Sequence, residues 1–349
     1  MSKMFAFNPA DYAAKFAAHG YVHIPSGLAA GFHTLLVQQV AAIREANRLK
    51  EWAIGDKQQS LYDFPAGHDY RRELCEFVGK VTGLDADSLV ISERHIKDYE
   101  SDAAPNPVPH KDRYATEVAV GFAVHVSPQS SLVFYPFTDV GLNHFNTAAE
   151  FRASLSEEKS PERLLEHAPR VEFHDQAGDV FMFHGNSIWH TRTNPANTTM
   201  LYFKINSFHC DPLGEDPLTP AVRSKTEQLL ALRDAEFEKT IPVVGRRVDY
   251  VHQRFNRQWQ EVAGVVLWGQ KHLTIDGDEL AALRLMNGRR DLAAVLRESA
   301  AADKASLLGK LRRLAARGVV DLRSHVDSLA YAAAPIAAAA TAPVVPTLV

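Results

Sequence analysis

Gly178-Asp179-Val180-Phe181-Met182-Phe183-His184-Gly185-Asn186-Ser187-Ile188-Trp189-His190 is the stretch from which the fold can be read. Glycine and aspartate open a tight turn, an apolar run makes a short strand, a small polar loop follows, and a histidine closes it. The same pattern recurs on both sides. Leu89-Val90-Ile91, Val118 to Val126, Ser131 to Tyr135, Val171 to Phe173 and Met200 to Ile205 are short, rich in branched or aromatic residues, and bounded by turn residues. Several such strands in series predict a sandwich or jelly-roll barrel. A polar helical insertion over 147–167 interrupts them, with Ser160-Pro161-Glu162 opening its second half.

Helical patterns flank the strands. Asn8-Pro9 caps a short helix that ends near Gly20. A longer one is predicted over 29–52, with Phe32, Leu35, Leu36, Val40 and Ile43 on one stripe, and a third over 68–82 with Leu74, Phe77, Val78 and Val81. After Asp211-Pro212 the strand signal stops, and 218–262 is expected as two helices split near Ile241-Pro242. Beyond it, helices over 278–286, from Asp291, and over 303–317 precede the strand-like Val319 to Leu322, the order of a winged-helix unit.

Charge and composition narrow the function classes. With 38 Lys and Arg against 42 Asp and Glu, the net charge of -4 gives no reason to expect nucleic acid or an anionic membrane as partner. The basic residues Lys310, Arg312, Arg313 and Arg317 do cluster, yet 261–325 holds 11 basic against 8 acidic residues, a net of only +3. A solvated helix face explains that cluster better than DNA, and dimerisation or capping of the barrel is the expected role of this unit. Cys75 and Cys210 are too few and too far apart for a disulfide framework. No run of 18 apolar residues is present, and the N-terminus lacks the apolar stretch of a secretory signal. A cytoplasmic protein is expected.

The chemistry starts at His110-Lys111-Asp112. In a strand, side chains two apart share a face, so His110 and Asp112 are expected to point into the barrel and Lys111 outward. One imidazole and one carboxylate are two of the three ligands of a facial triad, which leaves coordination positions open for a co-substrate and dioxygen. His190, 78 residues after Asp112, is the candidate for the third. His184 sits within the strand and is expected to be a packed histidine, as are His125 and His144.

Residues 88–208 resemble the phytanoyl-CoA dioxygenase-like branch of the Fe(II)/2-oxoglutarate oxygenases. The matching elements are Pro109-His110-Lys111-Asp112-Arg113-Tyr114, Gly178-Asp179 with Phe183-His184-Gly185, and Trp189-His190 followed by Asn194. The resemblance implies a double-stranded β-helix core with N-terminal helices, and iron held by His110, Asp112 and His190. It also implies 2-oxoglutarate as electron donor, released as succinate and carbon dioxide, with O2 as oxidant. On this reading 1–215 is the oxygenase domain, 216–262 a helical connector, 263–325 a winged-helix-like domain and 326–349 a disordered tail.

The family places an arginine 10 to 15 positions past the distal histidine to clamp the co-substrate. Met200, Leu201, Tyr202 and Phe203 stand at 200–203, so Lys204, fourteen residues after His190, is the nearest cation, with Asn206 two along on its face. A lysine offers a point charge where arginine offers a fork. Arg192 competes with it, and Tyr114 either hydrogen-bonds the co-substrate or fills the barrel. Arg113 and Trp189 are the candidate substrate contacts, although Trp189 also suits the barrel wall. Lys97 either reaches the same pocket or is a solvated edge lysine. Related halogenating enzymes replace the carboxylate by a small residue, so Asp112 favours hydroxylation. The scattered cations Arg113, Arg192 and Lys204 point to a small polar metabolite such as an amino acid or organic acid. The alternative is a peptide or carrier-bound substrate held by the C-terminal unit.

Overall fold

The computed structural model describes residues 3–45, 52–53, 57–267 and 271–324. The expected tail over 326–349 and the end of the helix predicted over 29–52 fall largely outside them. The chain divides into two compact units. One comprises Met1–Thr219, Arg246–Asp249 and Val266–Lys271; the other comprises Pro220–Gly245, Tyr250–Val265 and His272–Val349.

In the first unit the strands are β1 (Tyr21–Ile24), β2 (Trp52–Ala53), β3 (Lys57–Leu61), β4 (Val90–Tyr99) and β5 (Val118–His125), then β6 (Ser131–Tyr135), β7 (Val171–Phe173), β8 (Val180–Phe183), β9 (Trp189–Thr193) and β10 (Thr199–Asn206). They form an antiparallel seven-stranded sheet in the order β1-β8-β5-β10-β4-β3-β2, and a three-stranded sheet in the order β7-β6-β9. An isolated bridge between His110 and His190 adds the segment around residue 110 to the free edge of β9. Ala119, Phe181 and Phe183 of the larger sheet pack against Leu132 and Phe134 of the smaller one. Two sheets facing each other in this order make the expected jelly roll, a double-stranded β-helix.

Strand period two decides what each face carries. Along β10, Leu201, Phe203 and Ile205 face outward into a core shared with α1 (Ala13–His19), α2 (Ala30–Glu45) and α3 (Tyr70–Thr82). Burying each such side chain contributes roughly 1.5–3 kcal/mol. Helix α3 starts where the Asp69 carboxylate accepts from Arg72 N and stops at Gly83, whose φ of 79° suits glycine. Tyr202 and Lys204 face the other way, into the barrel. Gly121 on β5 makes room there, since a Cβ would lie 2.8 Å from the Tyr202 ring. Short helices α4 (Ala148–Ser154) and α5 (Pro161–Leu164) form the insertion.

In the second unit the helical connector expected over 216–262 is only half helical. Helices α6 (Thr219–Leu230) and α7 (Asp234–Phe237) are followed by strands β11 (Ile241–Val244), β12 (Val248–Phe255) and β13 (Glu261–Leu267). Ile241, Val243, Val244, Val248 and Val251 are β-branched, and strand pairing overrides the weak helical pattern. Strand β14 (Lys271–Ile275) completes the sheet β12-β13-β14. Helices α8 (Gly277–Leu285), α9 (Leu292–Glu298) and α10 (Lys304–Ala316) form near their expected positions, each capped by an aspartate. The strand after them, β15 (Val320–Arg323), pairs back onto β11 and so makes no wing hairpin with a following strand among the described residues.

Candidate metal centre

His190 belongs to β9, on the face opposite Trp189. Its backbone exchanges two hydrogen bonds of 2.9 Å with His110, which brings the two rings to 4.5 Å between centroids. His110 is thus held by one bridge, and no regular strand runs through Asp112. The Asp112 amide donates to Gly185 O at 2.9 Å, and Asn143 Nδ2 donates to Asp112 O at 2.9 Å. His110 Nε2 lies 3.9 Å from Asp112 Oδ1, and His190 Nε2 lies 3.8 Å from Asp112 Oδ2. One donor atom from each of the three residues falls within 4.8 Å of the others.

The tautomer of His190 follows from its surroundings. Its Nδ1 donates to Ile188 O at 2.9 Å, so Nε2 carries the lone pair toward Asp112. Burial pushes this imidazole down to about 4, against the pull of Asp112, so the ring is a neutral donor near pH 7. Burial alone would raise the Asp112 carboxyl. The Lys204 ammonium, then both imidazoles and Lys97, outweigh it and hold the acid well below the usual carboxylate range. Two imidazoles and one carboxylate are a donor set that fits Fe(II). The buried Lys204 ammonium donates to Asp112 Oδ2, placing one positive charge among the same donors.

Gly185 is fitted to this centre. A Cβ there would lie 2.8 Å from Asp112 Oδ2 and 2.5 Å from Thr116 Cγ2. Only hydrogen fits between the strand-end loop and the carboxylate.

The other sequence-derived candidates separate into groups. Lys204 joins the centre, but through Asp112. Arg192, inward like His190, is committed elsewhere: its guanidinium grips Asp175 at 2.7 and 2.9 Å and reaches Ser130 Oγ at 3.1 Å, all buried. Asn206 donates to Ala115 O and Cys210 O and accepts from Cys210 N, so it ties down the chain after β10. Arg113 donates to Ser92 O at 3.0 Å and pairs with Glu93 at 3.3 Å. Tyr114 stacks on Phe208 at 4.7 Å. Trp189 faces away from the metal side chains, packed with Val133, Tyr135, Phe151 and Leu165.

Lys111 points to the Trp189 side, away from the cluster as the alternation predicts, but it is covered there. It is 1% exposed, its ammonium donates to Asp139 O and, at 2.7 Å, to Gly141 O, and it stands 5.0 Å above the Trp189 ring. The insertion closes over this side, with the Phe151 ring 5.4 Å from the ammonium, so a side chain on the outer face is still buried. Lys97 is half-buried, paired with Glu93 at 3.2 Å and lying over the Tyr202 ring at 5.2 Å. His184 is no ligand; it contacts Phe16 and Glu117 O. Sequence reading missed Glu93 and His95, which share the inner face of β4 with Lys97. Their period-two spacing, 93, 95, 97, was the available signal, but charged residues in a strand suggested a solvated edge.

No protein-family model matches the sequence, and no curated protein matches it. Among solved structures the chain is similar to the non-heme alpha ketoglutarate dependent epimerase SnoN from nogalamycin biosynthesis, at 19% identity over 56% of this chain and 82% of that one, with a TM-score of 0.39. It is similar to the carbocyclase SnoK from nogalamycin biosynthesis at 15% identity, with 56% and 82% covered and a TM-score of 0.43. A Pseudomonas putida prolyl-4-hydroxylase matches at 13% identity over 57% and 99%, with a TM-score of 0.40.

Proposed function

We propose that this chain is a non-heme Fe(II)/2-oxoglutarate-dependent dioxygenase that oxidises a C–H bond of a small molecule, releasing succinate and CO2. The observation that carries the reading is the convergence of His110, Asp112 and His190 at one end of a double-stranded β-helix. The motifs shared with the phytanoyl-CoA dioxygenase-like branch support it. Iron and 2-oxoglutarate, with O2, supply the oxidising power for an unactivated C–H bond.

The chain's own groups supply the rest. His110, Asp112 and His190 hold the metal, with His190 already in the donating tautomer. The Lys204 and Lys97 ammoniums face the same interior, paired with Asp112 and Glu93, and Lys204 would hold a carboxylate of the co-substrate once a metal takes over Asp112. Phe134, Phe181 and Phe183 line the barrel between the sheets and keep water out. An aspartate at 112 keeps hydroxylation as the expected reaction. The small polar acid suggested by Arg113, Arg192 and Lys204 loses its motivation, because Glu93, Asp175 and Asp112 engage all three.

A second reading keeps the chemistry and tethers the substrate to a peptide or carrier. The exposed Phe255 and Trp259, at 63% and 82%, on the β12–β13 hairpin favour it. Undiminished turnover by Trp259→Ser would count against it. The proposal includes a cytoplasmic location, consistent with two buried free thiols. No helix among the described residues is long and apolar enough to cross a membrane.

The test is calorimetric titration of the full chain with Mn(II) and then 2-oxoglutarate, followed by succinate measurement after Fe(II) loading in air. Metal binding that disappears in Asp112→Ala is the expected result. Neither metal binding nor succinate from the wild-type chain would end the proposal.

A further inference from the structure

Beside the metal residues lies a loop, 136–147, whose position is unusually well fixed for a surface segment. Lys111, between the two metal residues of its motif, holds the carbonyls of Asp139 and Gly141 from below. Asn143 is buried, and its side chain joins Asp112 O to Phe145 N, while its amide donates to Asn186 O at 2.7 Å. The Tyr114 amide donates to Phe145 O at 2.8 Å, so the two segments run together past the ligands. These contacts spend buried polar groups on placing a loop that displays several apolar side chains. Leu142 is 43% exposed and Phe145 is 38% exposed, on either side of the buried Asn143.

Aromatic rings continue this surface. Tyr114, two residues past Asp112, stacks on Phe208 at 4.7 Å with 30° between the planes. The His144 ring lies 6.3 Å from that of Tyr114, with 30° between the planes. Phe208 is 36% exposed. Tyr114 and its two tilted ring neighbours form an aromatic surface two residues past Asp112 that favours a flat π-system over a charged or globular group. The cations that would have held an anionic substrate are engaged with carboxylates of this chain.

We infer that the substrate carries a planar aromatic ring system, held against Leu142, Phe145 and the Tyr114–Phe208–His144 stack while a neighbouring C–H bond is aimed at the metal. The inference rests on the oxygenase reading and adds the chemical class of substrate to it. Lys111 and Asn143 are then positioning residues, acting through the loop they hold.

The test uses the full Mn(II)-loaded chain and three probes: 2-naphthol, its saturated counterpart 2-decalol, and L-aspartate, each titrated by calorimetry. The expected result is 2-naphthol binding at least about fivefold tighter than 2-decalol, a ratio in the range of one or two ring contacts. Phe208→Ala and Phe145→Ala should each weaken 2-naphthol by a similar factor while Mn(II) binding stays as in the wild type. Equal affinity for the two bicyclic alcohols, preference for aspartate, or indifference to both variants would overturn the inference. So would sedimentation showing a dimer that Phe208→Ala dissolves, because a second copy would then cover this surface. The Mn(II) titration separates the two readings. No metal binding defeats the oxygenase assignment, whereas metal binding without ring preference defeats the aromatic substrate.

Discussion

The Lys204 ammonium donates to Asp112 Oδ2, the same oxygen that lies 3.8 Å from His190 Nε2. One lysine therefore balances the carboxylate of the His110, Asp112 and His190 cluster. The pair is buried, with side-chain exposures of 5% and 12%. Breaking such a pair by removing one partner costs about 3–5 kcal/mol, because the remaining charge stays desolvated.

Lys204→Met should therefore destabilise the metal-free protein by about 3 kcal/mol or more, and a bound divalent cation should restore most of it by taking over Asp112. Thermal unfolding with and without Mn(II) reads both effects. A gap between the two melting temperatures no wider than in the wild type would show that Lys204 does not compensate Asp112.

Gly185→Ala should abolish metal binding while the barrel still folds. The new methyl would sit 2.8 Å from Asp112 Oδ2 and 2.5 Å from Thr116, closer than real Cβ contacts allow. A loop shift is the only relief, and it moves the Asp112 amide that donates to Gly185 O. Mn(II) affinity within about twofold of wild type would refute the close fit, a factor corresponding to roughly 0.4 kcal/mol.

Asp175→Asn should cost about 3–5 kcal/mol in urea unfolding, since it strands the buried Arg192 guanidinium. The double variant Asp175→Leu, Arg192→Met should recover much of that loss. If instead Arg192 serves the co-substrate, the double variant would lose 2-oxoglutarate binding, and calorimetry distinguishes the two.

His95 gives a pH signature away from the metal ligands. Burial lowers its imidazole, but hydrogen bonds to Glu215 and Glu93, at 2.8 and 3.3 Å across the ion pairs, outweigh this and raise it above 6.5. A folded value above the unfolded one adds stability that is complete below pH 6.5 and fades as pH climbs through the raised value. Melting temperature should fall between pH 6 and 9, and His95→Gln should flatten the decline. An unchanged slope in that variant would assign it to another group.

Much of the fold was legible because its signals are local. The strands at Ser131–Tyr135, Val171–Phe173 and Val180–Phe183 have the bounds that their branched and aromatic runs suggest. Strand β4 was seen only at its start, since Glu93, His95 and Lys97 turn inward into a polar interior that a hydrophobic pattern cannot reveal. Strand β11 was misjudged as helix because its partner, β15, lies far along the chain, and β12 because its mostly polar residues carry a weak strand pattern although its partner β13 is local. The three residues that cluster were picked out by spacing and residue type, whereas the burial of Lys111 was not legible because the insertion that covers it lies far along the chain.

Residue order alone determined which side chains were available to bind a cation and that short strands would be their scaffold, because donor chemistry and period-two patterning are properties of neighbouring residues. Tertiary structure alone decided how the cations are shared out: Lys204 to Asp112, Arg192 to Asp175, Arg113 to Glu93. Charge pairing depends on distance and burial in three dimensions, and neither is written in the spacing of residues along a chain.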